Sequence, residues 1–216
     1  MNVVIVGGSR GIGRAIGDRL RARGDFVVCA SRSEPHDWRI DVRRGDRADV
    51  REMLVRVNAA RGAPIDAVIC CAGAYDATDA DVVLTNVLGT WSVASEACLH
   101  MQLGGSVVLF SGGGVGGHAA GKGCPTLYAA TKAAVVQMVE GLASSYPDVR
   151  INAVAPGPVD TGLTDHGGES PDKTVAFVEW LLDQRHISGR LLSVKWDTPE
   201  IWAHPIPEFG KLRRVT

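Results

Sequence analysis

The sequence predicts an α/β fold: a doubly wound parallel sheet of about seven strands with helices on both faces, in a single domain over 1–216. Two observations carry this prediction. Short apolar runs at 3–6, 26–30, 38–42, 65–71, 106–110, 151–155 and 191–194 alternate with longer stretches whose apolar residues recur every three and four positions. That is the rhythm of parallel strands joined by helices. In addition, the first run stops at a glycine cluster, Gly7-Gly8-Ser9-Arg10-Gly11-Ile12-Gly13, and an amphipathic pattern starts at once through Ala15, Ile16 and Leu20.

This first unit is a strand, a turn that needs glycine, and a helix aimed back at the turn. Unpaired N–H groups and the positive end of the helix dipole meet at one spot, which suits a diphosphate. Gly7 permits the turn, Gly11 lets backbone approach the phosphates, and Gly13 lets the helix lie close to the sheet. The second strand ends in Ser31-Arg32. A nucleotide site selective for NAD places an acid there to hold the ribose hydroxyls. An acid would repel a 2′-phosphate, which serine and arginine can bind, so NADP(H) is the expected cofactor. Only Ser33, Glu34, Pro35, His36 and Asp37 separate this strand from the next run. Parallel strands ordinarily need a dozen or more residues to cross over, so the usual helix is reduced to a loop.

The fourth run ends in Cys70-Cys71-Ala72-Gly73 and the fifth in Phe110-Ser111-Gly112. After Pro125 a helix begins in which Tyr128 and Lys132, four apart, share one face. A phenol with a pKa near 10 is a poor acid–base group at neutrality, and a neighbouring ammonium lowers that value. The segment 161–190 is read as a lid at the carboxyl ends of the strands, and 195–216 as a tail containing Trp196 and Trp202.

Composition narrows the function. With 23 basic and 24 acidic residues the charges nearly cancel, which argues against nucleic acid or an anionic membrane as a partner. No apolar run is read as long enough to span a membrane, and no leader precedes the first strand. The five cysteines, Cys29, Cys70, Cys71, Cys98 and Cys124, show no zinc-type spacing, so no metal is expected. Unpaired thiols point to a reducing, cytoplasmic setting.

These motifs, in this order, resemble the short-chain dehydrogenase/reductase family, in a shortened form with a Rossmann-type sheet. The glycines at 7, 11 and 13 resemble its TGxxxGxG element, with Val6 in place of threonine. Tyr128-Ala129-Ala130-Thr131-Lys132 is similar to its YxxxK signature, and Cys70-Cys71-Ala72-Gly73 stands where it has NNAG. Thr85-Asn86-Val87 resembles its helix asparagine segment, and Asn152 through Thr161 its NxVxPGxxxT run. The resemblance implies a cofactor site made of Gly7, Ser9, Arg10, Gly11, Ile12, Gly13, Ser31, Arg32, Asp41, Val42, Ala72, Gly73, Tyr128, Lys132, Pro156, Val159 and Thr161. Arg10 would join Arg32 at the 2′-phosphate, Asp41 and Val42 would meet the adenine, and Val159 and Thr161 the nicotinamide carboxamide.

It also implies roles for four side chains. Tyr128 would transfer the proton, Lys132 would tune it and hold the cofactor ribose, and Asn86 would support a relay water. The serine that polarises the carbonyl normally stands thirteen residues before the tyrosine, which here is Val115. Ser111, seventeen before, is the candidate once a longer intervening loop is allowed for, with Gly112 in the family's serine position. His118 in that loop could line the pocket. The implied activity is hydride transfer between NADP(H) and a small carbonyl or alcohol. Two alternatives stay open: a pteridine- or imine-type reductase of the same superfamily that works without the serine, and a non-catalytic NADP(H)-binding redox sensor. The helix after Tyr128 carries more apolar positions than one buried stripe needs, so a homodimer or homotetramer is expected.

Overall fold

Val3, Val4, Ile5 and Val6 expose at most 1% of their surface, as expected for a strand covered on both faces. They belong to β1 (Asn2–Val6), the centre of a sheet in a computed structural model. It describes residues 1–75, 77–112, 125–163 and 168–194 together with the backbone of 201–205 and 213–214. The other strands are β2 (Phe26–Ser31), β3 (Trp38–Arg39), β4 (Ile65–Cys70), β5 (Met101–Phe110), β6 (Arg150–Ala155), β7 (Arg190–Val194), β8 (Ile201–Pro205) and β9 (Arg213–Arg214). Their spatial order is β3-β2-β1-β4-β5-β6-β7-β8-β9. The first seven run parallel, and they are the seven runs read from the sequence. Strands β8 and β9 come from the tail and pair antiparallel, which covers the outer edge of β7.

Helices cover both faces. On one face lie α1 (Gly11–Ala22) and α6 (Asp172–Asp183), which seal Ile5, Ile16, Leu20, Ile69, Val178 and Leu181. On the other face are α2 (Arg47–Arg61), α4 (Thr90–His100) and α5 (Thr126–Ser145), over Val4, Val68, Leu109 and Ile151. Strand order reverses between β1 and β4, which is where such sheets open a ligand crevice.

The trimmed crossover is as short as the sequence implied. Strand β3 has two residues, paired Ala30 to Trp38 and Ser31 to Arg39. Asp37 stabilises the short connection, since its Oδ2 accepts from Cys29 N at 2.7 Å and from Arg21 at 2.6 Å.

One expectation is corrected. The continuous helical stretch Asp79–His100 has 22 residues and contains an 18-residue window with a mean hydropathy of 1.3, long and apolar enough by those measures to cross a membrane. It runs through α3 (Asp79–Val83), a widened π-type turn (Leu84–Gly89) and α4. About two-thirds of its apolar window (67%) is buried inside this fold, where Val93, Ala94, Ala97 and Cys98 join the core. Glu96 on α4 is fully buried and accepts from Arg47 Nε at 2.7 Å and Arg51 Nε at 3.0 Å. Despite its burial, these two guanidiniums hold the carboxyl below the usual glutamate range. The four cysteines of the described residues, Cys29, Cys70, Cys71 and Cys98, are unpaired. Val115, His118 and Cys124 lie outside the described residues, as do lid residues 164–167 and tail residues 195–200, Trp196 among them.

Candidate active site

The glycine turn forms the floor of the site. Gly7 has φ +85°, and its N–H donates to Ala30 O at 2.7 Å, which turns the chain out of β1. A Cβ on Gly13 would lie 2.3 Å from Gly7 O, so helix α1 approaches the turn more closely than any side chain allows. Arg10 caps α1 in extended conformation without a side-chain cap bond, and the first turn carries no acid. The helix N-terminus therefore keeps its positive character. Ile12 packs against the α1-side core. Thr161, at the root of the lid, lies over the turn: its Cβ is 2.9 Å from where Gly11 would carry one.

At the end of β2 the two expected phosphate ligands differ. Ser31 is buried and gives its one hydroxyl proton to Ser33 O at 2.5 Å, which leaves it no donor for a phosphate. Arg32 is exposed, and so is Arg10 across the turn. Asp41 accepts from Arg43 Nε at 3.0 Å and from the Arg43 terminal nitrogen at 2.7 Å. The Arg43 guanidinium, with a smaller contribution from the Arg32 charge, holds the Asp41 carboxyl below its ordinary value. Arg43 also reaches Asp81 at 3.0 Å and so ties the turn after Asp41 to α3. Val42 packs on Gly89 of the π-type turn.

The ends of β4 and β5 and the start of α5 meet opposite this floor. The N–H of Cys71 donates to Val6 O at 2.8 Å, which draws Ala72 and Gly73 to the mouth. A Cβ on Gly73 would stand 3.7 Å from both Lys132 Nζ and Asn86 Oδ1. Lys132 is 5% exposed and donates to Phe110 O at 3.0 Å. Its Nζ lies 5.5 Å from the centroid of the Tyr128 ring, within cation–π range. Burial pushes the Lys132 ammonium down to about 8. The thiols of Cys70 and Cys71 are raised by the same cause, so both stand neutral beside the lysine.

Asn86 is fully buried and its side chain is committed. It accepts from Ala74 N at 2.8 Å and donates to Ala74 O at 2.9 Å and Thr131 Oγ1 at 3.1 Å. Thr131 in turn donates to Tyr128 O at 2.7 Å. The amide therefore ties the 71–75 segment to the first turn of α5. Ser111 is also committed: its hydroxyl donates to Lys132 O at 3.0 Å, not toward the mouth. A Cβ on Gly112 would stand 3.2 Å from Lys132 Cγ and 3.6 Å from Tyr128 Cε1. Gly112, and not Ser111, borders the tyrosine and lysine.

The lid side is organised by a single bridge. Val159 pairs with Glu169, through Asp160 N to Glu169 O at 2.9 Å and Glu169 N to Pro158 O at 3.2 Å. In extended chain, alternate residues point their N–H and C=O to opposite sides, so those of Val159 face away from Glu169. Pro156, Val159, Glu169, Lys173, Thr174 and Val194 line a small pocket here. Three participants were missed from sequence: Thr131, Arg43 and Tyr75. The Tyr75 ring meets Tyr128 edge-to-face, with centroids 4.7 Å apart and planes at 71°. An aromatic residue two positions after Gly73, where a strand end opens onto the mouth, was the signal available for it.

This sheet and crevice define the class first: a Rossmann-type oxidoreductase that works with a nicotinamide nucleotide. The family model for short chain dehydrogenases matches residues 1–171, and the chain belongs to that family. Tropinone reductase-like 3 of Erythroxylum coca is 30% identical over 187 residues, covering 76% of this chain and 71% of that protein. Among solved structures, NADP-bound ElxO superposes with a TM-score of 0.75 at 23% identity, over 89% of this chain and 96% of that one. The 3-alpha-hydroxysteroid dehydrogenase of Pseudomonas sp. B-0831, complexed with NADH, gives 0.73 at 23% identity over 89% and 94%.

Proposed function

We propose that the protein is an NADPH-dependent oxidoreductase that interconverts a carbonyl and an alcohol on a small molecule. The observation that carries this reading is the meeting of Tyr128, Lys132 and Gly73 at the mouth above a glycine turn that no side chain could share. That cradle fits a dinucleotide: Gly7, Ser9, Arg10, Gly11, Ile12 and Gly13 would hold the diphosphate, and Asp41 and Val42 the adenine. Ala72, Gly73 and Lys132 would take the ribose, and Pro156, Val159 and Thr161 the nicotinamide. Arg32 and Arg10 are exposed where a 2′-phosphate would lie, which favours NADPH over NADH. The bound nucleotide supplies the hydride.

The protein's own part is the proton. Tyr128 gives a proton to the carbonyl oxygen, and the Lys132 ammonium favours the phenolate left behind. Asn86 and Thr131 fix the helix turn that carries the tyrosine. Tyr128→Phe removes the proton and keeps the ring. With isatin as a probe carbonyl, turnover should fall by about 100-fold while NADPH affinity is kept. Full activity in that variant would refute the mechanism.

A second reading is favoured by one observation, the donation of the Ser111 hydroxyl to Lys132 O. It would group the chain with reductases that use tyrosine and lysine without serine, of the pteridine or imine type. Turnover of a quinonoid pterin above that of simple ketones would support it. The reading also includes self-association. Leu88 and Trp91 are exposed at 44% and 40% on the π-type turn and α4, near the apolar α5. Sedimentation at micromolar concentration should show a dimer or tetramer, and a monomer alone would overturn this part.

A further inference from the structure

We propose that Tyr75 is a positioning residue for Tyr128: its ring, set edge-to-face on the Tyr128 ring, holds the phenol in the orientation from which it transfers its proton. This rests on the reading that Tyr128 is the proton donor. The two rings meet with centroids 4.7 Å apart at 71°, the geometry in which the positive edge of one ring meets the negative face of the other. Such a pair is attractive beyond the apolar area it buries. A tyrosine on the first turn of a helix has two side-chain torsions to settle, and that attraction is enough to decide between rotamers.

Both rings stand on anchored backbone. Ala74, the residue before Tyr75, has its N–H and C=O bonded to Asn86. Asn86 also holds Thr131, which holds the Tyr128 carbonyl. One buried amide therefore fixes the distance between the two residues, and the ring contact completes the arrangement on the side-chain level. Two further neighbours lie beside the Tyr128 ring. Lys132 Nζ is 5.5 Å from its centroid, and Gly112 presents no side chain to it. Ser111, the end-of-strand group expected to order the reacting centre, is turned to Lys132 O. Tyr75 supplies an ordering contact from the segment after β4.

The chain has three tyrosines, Tyr75, Tyr128 and Tyr146, so 3-fluorotyrosine labelling of the full chain gives three ¹⁹F signals that single substitutions assign. Tyr75→Leu should move the Tyr128 signal and leave that of Tyr146, at the far end of α5, as a folding control. A Tyr128 signal unmoved by Tyr75→Leu overturns the proposal, whatever the substrate. In NADPH oxidation with isatin, Tyr75→Leu should lower kcat by about tenfold with KM nearly unchanged, as for a misaligned reacting group. Tyr75→Phe, which keeps the ring, should restore kcat. The Tyr75→Leu/Tyr128→Phe double variant should fall no lower than Tyr128→Phe alone, because Tyr75 acts only through Tyr128. Loss in Tyr75→Phe equal to that in Tyr75→Leu, or additive losses in the double variant, would overturn the positioning role. Full activity in Tyr128→Phe would instead refute the proton-donor reading, with the ring contact still scored by the ¹⁹F shift.

Discussion

Lys132→Met should make the nucleotide-free protein more stable at neutral pH. Lys132 is 5% exposed, and burial lowers its ammonium from 10.5 to about 8. Below pH 8 the folded protein carries that buried charge at a cost of about 3 kcal/mol, since each tenfold change in proton affinity corresponds to about 1.4 kcal/mol. Methionine removes the charge at similar length but loses the hydrogen bond to Phe110 O, which contributes about 1 kcal/mol. The variant should therefore gain about 2 kcal/mol at pH 7. Between about 8 and 10.5 the unfolded lysine binds more protons than the folded one, so wild-type stability relative to the variant rises with pH through that window. The Tyr128 ring, 5.5 Å from Nζ, and the thiols of Cys70 and Cys71, raised by burial, are titratable groups beside the lysine, and making the comparison in a Tyr128→Phe background removes the phenol from it. Urea unfolding of both proteins at pH 7, 8, 9 and 10 measures the difference. A variant less stable than wild type at pH 7, or a gap that widens in its favour as pH rises, would refute a buried ammonium carried at a cost.

Three further outcomes are expected. Gly13→Ala brings a methyl group to 2.3 Å from Gly7 O, so NADPH binding should be lost and stability should fall by about 1–3 kcal/mol in a thermal melt. In fluorescence titration the wild type should bind NADPH at least ~10-fold more tightly than NADH. Arg32→Ala and Arg10→Ala should each erode that preference, and Ser31→Ala should leave it in place because its hydroxyl is held by Ser33 O. Ser111→Ala should keep near-wild-type turnover of isatin with NADPH, since its hydroxyl serves Lys132 O and not the mouth. A large fall there would place Ser111 at the carbonyl after all.

Much of the fold was legible because its signals are local. A buried parallel strand needs an unbroken apolar run, and Val3 through Val6 provide one that is buried on both faces. The five residues before Trp38 forced a helix-free crossover, and the structure has one. The edge strands of the tail were not legible. The pairing of β8 to β7 and of β9 to β8 satisfies backbone groups, and backbone pairing leaves no periodic mark in side chains. The helical stretch Asp79–His100 is no unbroken apolar run, since Thr85, Asn86, Ser92, Ser95 and Glu96 interrupt it, and all five are buried. Glu96 shows how: two guanidiniums from α2 neutralise it inside the fold, and no spacing within α4 announces partners on another helix.

The same distinction between local and long-range signals explains the candidate site. Tyr128 and Lys132 are one helical turn apart, so their shared face follows from the spacing alone. Whether Ser111 points at them depends on one rotamer at a strand end, and that rotamer is set by the carbonyl of Lys132, 21 residues away. Tyr75 reaches Tyr128 across 53 residues by a contact that needs β4, the Asn86 amide and α5 all in place. In this chain the tyrosine and lysine are set by short-range spacing, while the groups that tie them to the rest of the site come from distant segments. Tyr75→Leu and Ser111→Ala therefore have opposite expected outcomes: the Tyr75 ring meets the Tyr128 ring, while the Ser111 hydroxyl serves the Lys132 backbone carbonyl.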